Sequence, residues 1–96
     1  SYEVVMAVLA SHRMERVLVL GAGTGKETLM LKRRYPSLQV VAVDPSEAML
    51  EIARKKLQEQ SLEADVRCGY LDDFDDLTEL DTVVMIGVLH HLSGQA

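Results

Sequence analysis

The residues with the clearest chemical potential are three closely spaced glycines and one acid. Gly21-Ala22-Gly23-Thr24-Gly25 follows the apolar run Val17-Leu18-Val19-Leu20. Glycine supplies positive backbone torsions and lets a ligand come up against the main chain, so a loop of this composition suits close contact. Asp44 ends a second apolar run, Val40 to Val43. There an ionised carboxylate can accept two hydrogen bonds from the vicinal hydroxyls of a ribose. Loop and acid together point to a nucleoside ligand. The plainer alternative is a tight strand-to-helix turn and an Asp that only opens the next helix, although Ser46 is better placed as that helix's cap.

Two phosphate-binding patterns can be tested against the loop. A Walker loop needs a glycine five residues before the glycine of its Gly-Lys pair and a Ser or Thr after the pair. Gly25-Lys26 has Leu20 at the first place and Glu27 at the second. A dinucleotide fingerprint needs its third glycine three residues after the second. That position is Lys26, and the third glycine comes early, at Gly25. An NAD-binding oxidoreductase fragment is therefore the second reading of the same loop and acid.

Other reactive side chains form weaker patterns. Six of the ten residues from Asp72 to Asp81 are acidic. Spacing alone does not converge their oxygens on a metal, and they read as a solvated face. His90 and His91 are adjacent, so on a helix their side chains point about 100° apart, a poor arrangement for chelating one ion. A neutral imidazole near pH 7 could serve as a catalytic base, but the preferred reading is packing near a helix start. His12 and Cys68 have no partner at ligand or catalytic spacing. The groups Lys32-Arg33-Arg34 and Arg54-Lys55-Lys56 read as solvent-facing helix stripes.

The elements that must position the loop and the acid follow from hydrophobic periodicity. Tyr2 to Ala10, with Val4, Val5, Val8 and Leu9, reads as a short amphipathic helix. Val17 to Leu20 and Val40 to Val43 are continuous apolar runs, as in strands covered on both faces of a parallel sheet. Gly25 to Tyr35 reads as a crossover helix, stopped by Pro36, which has no amide hydrogen. A second helix starts at Asp44-Pro45-Ser46, runs to about Gln60 and is expected to bury Met49, Leu50, Ala53 and Leu57. Asp65 to Cys68 and Thr82 to Ile86 complete four strands. Strands alternating with crossover helices specify an open α/β fold with a parallel sheet. In such sheets ligands bind at the carboxyl ends of the strands, where Gly21 and Asp44 fall.

Composition bounds the rest. At 96 residues there is room for one domain only, and 48% hydrophobic with 26% charged residues is a globular balance. A net charge of -5 provides no long-range positive field, so nonspecific nucleic-acid binding is not expected. The longest stretch free of Asp, Glu, Lys and Arg, Thr82 to Ala96, falls short of the ~20 apolar residues that span a bilayer. No signal-peptide pattern is present, and the single cysteine forms no internal disulfide, which fits a reducing, cytoplasmic setting.

Taken in order, these segments resemble the class I S-adenosylmethionine-dependent methyltransferases. The first motif of that family appears as Val17-Leu18-Val19-Leu20-Gly21-Ala22-Gly23-Thr24-Gly25, and the second as Asp44-Pro45-Ser46-Glu47-Ala48-Met49-Leu50. The fourth-strand segment stands as Val83-Val84-Met85-Ile86-Gly87-Val88-Leu89-His90-His91-Leu92. The resemblance covers the chain from Val17 onward. It implies a Rossmann-like open parallel sheet with helices on both faces, strand order 3-2-1-4, and residues 1–96 as a partial S-adenosylmethionine-binding domain, truncated after strand four of a usual seven. An unpaired sheet edge left there is expected to favour self-association.

The resemblance also implies roles. Gly21, Ala22, Gly23, Thr24 and Gly25 would wrap the methionine part of S-adenosylmethionine, and Asp44 would hold its ribose. Pro45 and Met49 would border the adenine, and Gly87 would line the floor. Family members often read Gly-Asp after strand three, with another acid three residues later near the adenine amino group. Here Gly69 is followed by Tyr70, a departure from that pattern. Asp73 is then the adenine candidate, with Asp72 as the neighbouring acid and Phe74 offering a backbone amide. Methyl transfer from an activated sulfonium needs chiefly an aligned acceptor and exclusion of water, so no catalytic side chain and no metal is assigned. The acceptor stays unidentified. A noncatalytic methyltransferase-like interaction module is a further alternative.

Overall fold

The computed structural model describes residues 16–78 and 82–84. Four strands, β1 (Arg16–Leu20), β2 (Gln39–Asp44), β3 (Asp65–Cys68) and β4 (Thr82–Val84), form one parallel sheet in the order β3-β2-β1-β4. Helix α1 (Lys26–Arg34) joins β1 to β2, and α2 (Glu47–Glu59) joins β2 to β3. Two short 3-10 turns, Leu71–Asp73 and Asp75–Thr78, follow β3. The expected helix over Tyr2 to Ala10, the end of the fourth strand at Met85 and Ile86, and Gly87, His90 and His91 lie outside the described residues.

Register explains how the sheet buries two faces. Val17 pairs with Val40 and Val19 with Ala42, so these four side chains share one face. Leu31 of α1 and Leu50 of α2 pack there, together with Leu38 and Ala22. The alternate positions Leu18, Val41 and Val43 point the other way and pack with Leu77, with Phe74 and Leu20 at the margin. Both α-helices among the described residues thus lie on one face, and the 3-10 turns supply the contacts on the other. Continuous apolar runs arise because alternate residues serve opposite faces and both faces are covered.

The helix ends follow local chemistry. Ser46 caps α2, its Oγ accepting from the amide of Met49 at 3.3 Å. Helix α1 ends before Pro36, with the Tyr35 amide donating to the Leu31 carbonyl at 2.8 Å.

Two expectations are corrected. Met49 is 42% exposed, whereas Leu50, Ala53 and Leu57 are buried. It precedes Leu50 by about 100° of helix rotation, which turns it from the sheet toward the glycine loop. Lys32 belongs to no solvent-facing stripe and is only 9% exposed. It follows the buried Thr28 by four residues and Leu29 by three, which puts it on the buried face of α1, and its Nζ donates to the carbonyls of Leu38 at 2.6 Å and Pro36 at 3.0 Å. The ammonium thereby ties off the turn between α1 and β2.

Replacing Lys32 with Met keeps the stem and removes both of these charge-assisted bonds. The expected cost is about 2 kcal/mol, read as a lower urea midpoint. An unchanged midpoint would mean that water satisfies the two carbonyls equally well.

Candidate functional site

The glycine loop leaves β1 and folds over the end of β2, where the amides of Gly21 and Ala22 both donate to the Val43 carbonyl, at 2.9 and 3.1 Å. Gly21, Gly23 and Gly25 have φ of 67°, 55° and 87°. The Gly25 amide closes the turn onto Ala22 O at 3.0 Å. The Gly23 amide donates to Oδ2 of Asp44 at 2.9 Å. The loop amides of residues 21, 22, 23 and 25 are thus engaged within the chain. What the loop offers a neighbour is closeness of main chain more than a row of unused donors.

Asp44 is the hub of this edge. Its Oδ1 accepts from the Ser46 amide at 2.8 Å, while Oδ2 holds Gly23. Its own carbonyl accepts from the Gly69 amide at 3.0 Å. One residue, 9% exposed, therefore joins the loop after β1, the turn after β2 and the turn after β3. A carboxylate has about four lone-pair sites, so two bonds from the chain leave acceptor capacity on the same group.

The glycines divide by what surrounds them. A Cβ on Gly25 would stand 2.8 Å from Ala53 Cβ and 3.2 Å from Ala53 Cα, so Gly25 serves the contact between α1 and α2. A Cβ on Gly23 would meet only Met49 Cε at 3.5 Å and Gly21 O at 4.0 Å. Met49 thus reaches the loop, at the open side of the edge. Thr24 is partly exposed beside it, and Pro45 is exposed.

The turn after β3 folds tightly. At Gly69, with φ 149°, a Cβ would lie 2.8 Å from Asp73 Oδ2. That same oxygen accepts from the Tyr70 amide at 2.7 Å. Asp72 and Asp73 are exposed, and Tyr70 is 66% exposed. The Phe74 amide donates to Leu71 O at 3.1 Å and closes the 3-10 turn. Gly23, Asp44, Ser46, Met49, Gly69 and Asp73 are brought to one edge, while Gly87 lies outside the described residues.

Sequence reasoning missed Arg67. Its guanidinium forks onto Asp76, with Nη1 to Oδ1 at 2.7 Å and Nη2 to Oδ2 at 2.8 Å, and also grips Asp65. The hydrogen bond from Arg67 holds the Asp76 carboxyl down at about 2, and the two carboxylates push the guanidinium pKa up. Glu47 is lowered by its pairing with Arg54. Partial desolvation, then a hydrogen bond with Glu47, raises the Cys68 thiol. Asp65 and Arg67 at i and i+2 share a strand face, a visible signal for half of the clamp. Nothing in the spacing announces Asp76.

A cleft of about 1020 Å³ opens elsewhere, at the amino end of the sheet along Arg16, Leu38, Gln39, Leu62 and Asp65, and no glycine-loop residue lines it. The candidate site therefore rests on converging loops and not on cavity size. Among the described residues no group of three His, Cys, Asp or Glu is arranged to hold a metal ion, and no helix is long and apolar enough to cross a membrane.

A parallel sheet with a glycine loop and an acid at adjacent strand ends defines a Rossmann-like α/β domain. Residues 17–96 match a family model described as a methyltransferase domain. An uncharacterized methyltransferase of Staphylococcus carnosus (strain TM300) is 36% identical over 92 residues, which are 96% of this chain and 41% of that protein. Among solved structures, the S-adenosylmethionine-dependent methyltransferase SibL in its apo form is 36% identical, with a TM-score of 0.65 over 88% of this chain and 25% of its own. Coclaurine N-methyltransferase bound to N-methylheliamine and SAH has a TM-score of 0.74 at 20% identity, over 86% of this chain and 25% of its own, a likeness of fold. The chain belongs to the methyltransferase-domain family, and it spans between 25% and 41% of the length of these relatives.

The two inner glycines should respond differently to substitution. Gly25→Ala meets both a positive φ and the Ala53 backbone, so about 3 kcal/mol of stability is expected to be lost. Gly23→Ala meets the torsion penalty alone, about 1 kcal/mol. Urea denaturation of the two variants giving the reverse order would contradict this division.

Proposed function

We propose that the chain supplies the cofactor-binding part of an S-adenosylmethionine-dependent methyltransferase, residues 1–96 being part of that domain. The observation that carries the reading is the Asp44 carboxylate at the carboxyl end of β2, bonded to the amide of Gly23 in the loop that follows β1. An acid held against a glycine loop can receive ribose hydroxyls while the adjoining main chain takes the rest of the molecule. Family membership and the 36% identity to SibL support the choice of S-adenosylmethionine over a nicotinamide cofactor. So does the early third glycine, at Gly25 instead of position 26.

In this reading Gly21, Ala22, Gly23, Thr24 and Gly25 flank the methionine part. Asp44 holds the ribose, Pro45 and Met49 border the adenine, and Asp73, with Asp72 beside it, faces the adenine amino group. Gly87 lines the floor. When bound, the cofactor supplies a methyl group already activated by its sulfonium. The residues of this chain bind and orient it, and the methyl acceptor is a partner of unidentified chemistry. A cytoplasmic setting belongs to the proposal, in keeping with a single, exposed cysteine.

Calorimetry on the chain should show S-adenosylhomocysteine binding more tightly than NAD, and the opposite preference would contradict the cofactor. Asp44→Ala should weaken S-adenosylhomocysteine by about tenfold to a few hundredfold, from charge-assisted bonds of about 1.5 to 3 kcal/mol each. Because Asp44 also holds Gly23 and Ser46, the ligand's 2′,3′-dideoxy analogue should lose affinity too, but at least about tenfold less. Equal losses for the two ligands would leave Asp44 as a support of the loop only.

A further inference from the structure

Arg67 lies on β3 opposite Val43, on the sheet face that carries Leu18, Val41 and Leu77. Its side chain, 20% exposed, spends four hydrogen bonds on two carboxylates. Nε and Nη2 reach Asp65 at 3.0 and 2.8 Å, and Nη1 and Nη2 reach Asp76 at 2.7 and 2.8 Å. The guanidinium carbon also stands 5.1 Å from the centroid of the Phe74 ring. Arg16 adds a longer contact to Asp76, at 3.8 Å.

These contacts close a short circuit of chain. It starts at Gly69, whose amide is tied to the Asp44 carbonyl, runs through the turn that carries Asp72 and Asp73, and returns through Phe74 to Asp76. One end is thus fixed to the ribose-side acid and the other to Arg67. Asp76 is well exposed, and a pair of that kind adds little to global stability. A planar fork, by contrast, fixes the orientation of what it grips, which a single point charge does not. Stacking on Phe74 fixes the same segment from a second direction.

We propose that Arg67 is a positioning residue for base recognition: by clamping Asp76 and covering Phe74 it holds the turn bearing Asp72 and Asp73 against the adenine side of the bound nucleoside, and so sets the preference for adenine. The assignment rests on the cofactor reading above. Arg67 acts through the turn and touches no ligand itself.

The test compares S-adenosylhomocysteine with S-inosylhomocysteine, in which a carbonyl replaces the adenine amino group, by calorimetry on the unsubstituted chain, R67A, R67K and D76N. The unsubstituted chain should favour the adenine ligand by at least about tenfold, the worth of one charge-assisted bond. R67A should lose about tenfold in affinity for that ligand and bring the two ligands within about threefold of each other. R67K, which keeps charge without the fork, should not restore the preference. The Asp76 carboxyl, followed by carbon NMR, should titrate near 2 in the unsubstituted chain and move toward the ordinary carboxylate range in R67A, where Arg16 is the remaining nearby cation. If R67A does not fold, D76N decides, because it leaves Arg67 paired with Asp65. A folded R67A or D76N with undiminished preference overturns the assignment, and so does an unsubstituted chain that binds both ligands equally. Absence of S-adenosylhomocysteine binding by the unsubstituted chain overturns the cofactor reading, and this assignment falls with it.

Discussion

The carboxylate of Asp44 takes the Gly23 amide on one oxygen and the Ser46 amide on the other, and the same residue's carbonyl takes the Gly69 amide. Three chain segments that leave three neighbouring strands are held by one residue. A buried carboxylate without partners is costly, so these donors make the position tolerable, and the position in turn decides where the donors sit. The cap of α2, the course of the glycine loop and the start of the turn after β3 all depend on it.

The parallel sheet makes such a junction available. Pairing Leu20 with Val43 and Asp44 with Cys68 brings the carboxyl ends of β1, β2 and β3 to one edge, where crossover loops must begin. Leu31 and Leu50 fix the helices to one face, and Leu77 with Phe74 holds the turns to the other. Lys32 secures the far end by tying off the turn that leads into β2. A rigid sheet with short, tied loops is the kind of scaffold on which a ligand can be oriented without ordering a mobile segment first.

Much of this was legible in residue order. Val17 to Leu20 and Val40 to Val43 announce buried strands, Ser46 a cap, Pro36 a stop, and Gly21 to Gly25 with Asp44 the edge that matters. The rest depends on three-dimensional choices that spacing does not encode. Lys32 looks like one of three consecutive surface cations until the rotation of α1 turns it to the helix's buried face. Met49 belongs to the apolar pattern of α2, yet it faces the glycine loop. Phe74 keeps its amide for a 3-10 turn, which composition does not reveal. Arg67 and Asp76 lie nine residues apart across an irregular segment, with no periodicity to connect them.

Amide hydrogen exchange on the unsubstituted chain and on Asp44→Ala tests the central claim most directly, that one carboxylate holds two loops. Gly23 and Ser46 should lose protection together, by about tenfold or more if each bond contributes at least 1.4 kcal/mol. Gly21 and Ala22, which donate to the Val43 carbonyl, should keep theirs. Gly23 and Ser46 amides as protected in Asp44→Ala as in the unsubstituted chain would contradict the account.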